Sequence, residues 1–114
     1  MEYTRKTIAT ALIGLFLTTP VAFAGNIETG KQLAFDRKKG NCLACHKIEG
    51  GEQTGTIGPP LVMMKLRYPD HKLLWKKIYD STADNPNSVM PPFGRHGIFT
   101  DDELESIVDF IETL

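Results

Sequence analysis

The chain has 114 residues, 41% hydrophobic and 24% charged, a composition that suits one small globular domain and no second. Its 13 Lys and Arg stand against 14 Asp and Glu, for a formal charge of −1. Without a cationic excess to neutralise phosphates, nucleic acid is not an expected partner.

Arg5 and Lys6, the apolar run from Ile8 to Leu17 and the small-x-small site Ala22-Phe23-Ala24 before Gly25 read as a cleavable export signal over residues 1–24. Thr18, Thr19 and Pro20 stop the run well short of the roughly 20 residues a membrane-spanning helix needs. The expectation is a periplasmic domain over residues 25–114 with no membrane attachment after cleavage. Loss of Glu2, Arg5 and Lys6 moves the formal charge from −1 to −2, still close to neutral. A domain of this size buries a modest share of its surface and often recruits a disulfide, metal or cofactor.

Residues 28–39 place Leu33, Ala34 and Phe35 among polar neighbours and predict a short amphipathic helix ended by Gly40. Cys42-Leu43-Ala44-Cys45-His46 follows at once, and Glu49 to Pro60, rich in Gly and Pro, is a long loop. Leu61 to Leu66 predicts a short helix stopped by Pro69. Asp70 caps a helix through about Tyr79, with Leu74, Trp75, Ile78 and Tyr79 on one face. Asn85 to Gly94 is a second Pro and Asn loop. Thr100 with Glu103 predicts a capping box, Phe99 with Leu104 a hydrophobic staple, and Leu104, Ile107, Val108, Ile111 and Leu114 a final helix running to the C-terminus. With no alternating pattern, the domain is expected to be all-α with long loops.

Cys42 and Cys45 invite three readings. A disulfide between them would close a tiny loop with little entropic gain, and a thioredoxin-like redox pair would need a βαβ context that is missing. Zinc would need four ligands, with only His71 and His96 in reserve beyond His46. The adjoining His46 favours the third, since Cys-x-x-Cys-His is the attachment pattern of c-type haem. One helical turn brings both thiols to one porphyrin edge and the imidazole under the iron.

A second iron ligand could be Met63, Met64, Met90, His71 or His96. Met90 lies on an irregular loop whose Pro91-Pro92 pair limits the entropy lost in presenting its sulfur, though a gap-filling core methionine is the plainer alternative. Met63 and Met64 read as core, and His71 and His96 as solvent-facing. The Gly58-Pro59 segment offers a carbonyl to the His46 Nδ1 proton, with Pro59 favoured over Pro60, or else an ordinary turn. Trp75 suits either core packing or donation to a haem propionate.

Three segments carry a family resemblance: Gly40 to His46; Gly55-Thr56-Ile57-Gly58-Pro59-Pro60-Leu61; and Asn85-Pro86 through Met90-Pro91-Pro92-Phe93-Gly94-Arg95-His96-Gly97. From about Gly40 to the C-terminus the chain resembles the SoxX cytochromes of the thiosulfate-oxidising Sox system. The resemblance implies a class I cytochrome c fold with one covalent haem c and His46 and Met90 as axial ligands. It implies the electron-accepting subunit of a SoxAX-type L-cysteine S-thiosulfotransferase, with a SoxA-like monohaem or dihaem partner, a SoxYZ-like carrier and a soluble cytochrome c acceptor. Some members have a third small subunit, and the short N-terminal extension here leaves that open. The catalytic cysteine of the family sits on SoxA, so no catalytic residue is expected on this chain. The haem motif alone fits equally a free periplasmic electron carrier, and the cysteines alone a zinc or thiol-redox module.

Overall fold

The structure, a computed structural model, describes residues 22–114, so all but the last three positions of the expected export signal lie outside the described residues. The expected all-α fold is the one formed. In chain order it has α1 (Ala22–Phe35), a 3₁₀ turn (Cys42–Ala44), α2 (Met64–Arg67), α3 (His71–Tyr79) and α4 (Asp101–Ile111), with no strand among the described residues.

The capping signals at α4 act as their chemistry demands. Thr100 Oγ1 accepts from the Glu103 N–H at 3.2 Å while Glu103 Oε2 accepts from the Thr100 N–H at 2.9 Å, and Asp101, Asp102 and Glu103 face the positive end of the helix dipole. The apolar stripe is sealed: Leu104, Ile107 and Val108 are all 0% exposed, and Phe99 is buried beside them. The helix stops at Ile111 rather than Leu114: the Thr113 and Leu114 N–H groups bond three residues back, to the Phe110 and Ile111 carbonyls at 3.0 and 3.2 Å, and the Leu114 carbonyl accepts the Met64 N–H at 2.9 Å.

Across the core, α1 packs on α4. A Cβ on Gly30 would lie 1.8 Å from the Ser106 carbonyl oxygen, so only glycine admits this approach, and Phe35 meets Phe110 edge to face at 5.9 Å. Among the described residues this helix spans Ala22–Phe35, so it already covers the six positions before the expected start at 28, and it ends at Phe35 rather than reaching Gly40. Its end is set by Asp36, whose side chain accepts from the Lys38 N–H at 2.8 Å and whose carbonyl accepts from Asn41 at 2.9 Å, a local pattern that competes with the helix.

Met63 takes a left-handed backbone, φ 51°, so α2 begins at Met64 instead of Leu61. That turn separates the two methionines expected in the core: Met64 is 2% exposed and Met63 is 63% exposed. Asp70 caps α3 by accepting from the Lys72 N–H at 2.9 Å. Leu74 and Ile78 are buried, and Trp75 stacks on Tyr79 at 4.8 Å.

His71 does not face solvent freely, as its sequence context suggests, but ties α3 to the end of α4. Its Nε2 lies 2.7 Å from Glu105 and its Nδ1 3.3 Å from Glu112, which also pairs with Lys65 at 2.8 Å. Hydrogen bonding to Glu105, opposed by burial and aided by Glu112, raises the His71 pKa above 6.5. Burial alone would raise Glu112, but Lys65 and His71 outweigh it and hold the carboxyl below 4.5. The raised histidine contributes stability that is complete below pH 6.5 and fades as pH climbs through its folded pKa; the lowered carboxyl contributes fully above pH 4.5 and fades on acidification. The stability gap between wild type and His71→Gln, from denaturant melts across pH, is therefore expected to be widest between pH 4.5 and 6.5. A pH-independent gap would contradict the pairing.

Candidate functional site

The Cys42 to His46 segment is wound into a single tight turn. Asn41 enters it with φ 49°, a left-handed conformation that asparagine tolerates better than most residues. The Cys42 carbonyl then accepts from both the Cys45 and His46 N–H groups, at 3.2 and 2.9 Å. The two cysteines lie one turn apart and half-buried, with no disulfide between them. Burial, reinforced by the nearby Cys45 and opposed by a backbone hydrogen bond, pushes the Cys42 thiol up to about 11.

The Gly-rich loop after the motif is stapled onto it by backbone bonds: Gly55 N–H to the Leu43 carbonyl and Gly58 N–H to the Cys45 carbonyl at 2.8 Å each, then Leu61 N–H to Lys47 at 2.9 Å. The staple brings the Pro59 carbonyl to 2.7 Å from His46 Nδ1. A carbonyl can only accept, so Nδ1 carries the proton and Nε2 keeps its lone pair. Gly58 lies flat against the ring, where a Cβ would be 2.4 Å from Cε1 and 2.7 Å from Nδ1. The Pro60 carbonyl is engaged elsewhere, accepting from Arg67 at 3.0 Å.

Cys42, Cys45, His46 and Met90 all border one cavity of about 660 Å³ with a mainly apolar wall, within the roughly 300–1,000 Å³ of small-molecule sites. Of the five sequence candidates for a second ligand, Met64 and Met90 reach this cavity, whereas Met63, His71 and His96 do not. Met64 lies in the core with Arg67 Nη1 3.4 Å from its sulfur. Met90 is half-buried on its loop.

The donor set of two thiols, an imidazole with its far nitrogen committed, and a thioether is the set that holds haem c. The charged side chains at the border, Lys39, Arg67 and Lys77, are all cationic, and two of them already hold carboxylates of the chain, Lys39 that of Glu103 and Lys77 that of Asp84. The donor residues fit the group. Trp75 is not part of the wall; its indole N–H is buried without a protein acceptor and its ring packs on Tyr79. Sequence reasoning missed Ser81 as a wall residue, and it lies in no recognisable motif.

Residues 25–111 match the family model described as Cytochrome C oxidase, cbb3-type, subunit III. The chain is also 38% identical over 75 residues to an uncharacterized lipoprotein of Aquifex aeolicus (strain VF5), covering 65% of this chain and 36% of that protein. It is 36% identical over 61 residues to cytochrome c-552 of Nitrosomonas europaea, covering 54% and 52%. The chain thus spans between about a third and a half of the length of these relatives.

Gly58→Ala is expected to lower the unfolding free energy of the haem-loaded protein by roughly 1–3 kcal/mol, the usual cost of overpacking, by pushing the His46 ring off the Pro59 carbonyl. Denaturant unfolding followed at the haem absorption checks this; an unchanged midpoint would contradict it.

Proposed function

The chain belongs to the cytochrome c oxidase, cbb3-type, subunit III family of class I c-type cytochrome domains and carries covalently bound haem c for electron transfer. On that premise, we propose that it is the electron-accepting subunit of a SoxAX-like L-cysteine S-thiosulfotransferase in the periplasm. Cys42 and Cys45 would carry the haem covalently, and His46 and Met90 would ligate its iron. Cleavage before Gly25 belongs to the same proposal, and membership of a c-type cytochrome family supports export.

What haem supplies when bound is a one-electron store, its potential raised by methionine opposite histidine. The chain's own part is positional. Pro59 holds the His46 ring and its tautomer through the 2.7 Å bond, and the surrounding cavity wall is mainly apolar. Met90 is the better second ligand than Met64, whose sulfur already meets Arg67.

The observation that carries the reading is the commitment of both cysteines. With Cys42 and Cys45 the whole cysteine content of the chain and both at the cavity, no thiol remains here for sulfur chemistry. Joining a thiolate to thiosulfate forms one S–S bond and releases two electrons, so the thiolate would belong to a partner chain, and a haem held here would supply a one-electron acceptor for each of them in turn. The Met90 to Gly97 segment supports a SoxX-like assignment. A free electron carrier is the second reading, favoured by the likeness to a protein named cytochrome c-552.

In oxidised protein the weak near-infrared band of methionine-ligated haem is expected in wild type and absent in Met90→Ala; its persistence would sink the ligand assignment. Native purification from thiosulfate-grown cells, with haem staining, is expected to bring down a second cytochrome chain. Elution of this chain alone would favour the free carrier.

A further inference from the structure

Both backbone polar groups of Met90 are held by serine hydroxyls. Ser81 lies just past the end of α3 and is 2% exposed; its Oγ donates to the Met90 carbonyl at 2.6 Å. The Met90 N–H in turn donates to Ser88 Oγ at 3.3 Å. Pro91 follows, which confines Met90 to extended backbone.

The same end of α3 grips the loop again beyond the two prolines. The Tyr79 carbonyl accepts from the Gly94 and Arg95 N–H groups at 3.0 and 3.2 Å. Arg95 pairs with Asp80 at 3.1 Å and donates to Thr82 Oγ1 at 3.3 Å. A serine near a helix end ordinarily bonds to its own or adjacent backbone. Ser81 instead directs its one O–H, from a buried position, to a carbonyl nine residues further on.

We infer that Ser81, with Ser88 as the lesser partner, is a positioning residue that fixes the backbone of Met90 and so places its thioether in the cavity. The inference rests on the reading that Met90 ligates the iron. Without the Ser81 hydroxyl, the Met90 carbonyl loses its partner, and the loop can swing its sulfur away at lower cost. The quantity affected is the equilibrium between ligand-bound and ligand-open protein, not the chemistry of the haem.

Imidazole titration of the oxidised, haem-loaded protein measures that equilibrium, because imidazole binds only where methionine has left. Ser81→Ala is expected to bind imidazole roughly tenfold more tightly than wild type, the scale of one buried hydrogen bond. Ser81→Thr, which keeps the hydroxyl, should return toward wild type. Ser106→Ala, which removes another buried serine hydroxyl, one that bonds to the Asp102 carbonyl within α4, should leave the affinity unchanged. If Ser81→Ala does not accumulate, Ser88→Ala carries the test, with a smaller shift in the same direction. Unchanged affinity in the serine-to-alanine variants, or an equal shift in Ser106→Ala, would overturn the inference while leaving Met90 as ligand. A wild type lacking the near-infrared band, or a Met90→Ala protein retaining it, would instead overturn the underlying ligand assignment.

Discussion

The hydrogen bond from His46 Nδ1 to the Pro59 carbonyl, 2.7 Å long, constrains the chain on both sides of it. To make it, the segment from Gly55 to Leu61 must lie directly on the Cys42 to His46 turn, and three backbone bonds hold it there. Gly58 must lack a side chain, because the imidazole occupies the space a Cβ would take. The result is a ring with one nitrogen committed, and an imidazole so fixed is a better metal ligand than one free to rotate.

The two long loops around the cavity are secured in different ways. The first is tied to the haem-binding turn by its own backbone, so attachment and histidine orientation form one local unit. The second, carrying Met90, is held from outside by the C-terminal end of α3, through Ser81, Tyr79, Asp80 and Thr82. If Met90 ligates iron as proposed, the loop that would carry this reversible bond is the one held at a distance, by the end of α3. Behind both, α1 packs on α4, and their contact at Gly30 and Ser106 tolerates no added atom.

Local chemistry was the legible part of the sequence. The Thr100 and Glu103 box, the Asp70 cap and the apolar stripe of α4 depend on residues within a few positions of one another, and all three form. The errors came where distant partners or one backbone angle decide. Asp36 ends α1 through its own side chain, Met63 turns outward on a left-handed residue, and His71 finds two carboxylates, Glu105 on α4 and Glu112 just past its end. Ser81 was invisible for the same reason, since nothing near it in sequence announces that its hydroxyl meets Met90. The family assignment rests on the match over residues 25–111, a coarser result than the SoxX resemblance that the loop sequences carry.

The account stands on covalent attachment of one haem at the Cys42 to His46 turn. Intact mass spectrometry of protein from a host able to mature c-type cytochromes, followed by peptide mapping with thiol alkylation, tests it most directly. The expected result is a chain heavier by one haem, carried on the peptide that contains Cys42 and Cys45, with neither thiol alkylated. A chain of unmodified mass with both cysteines alkylated would contradict it.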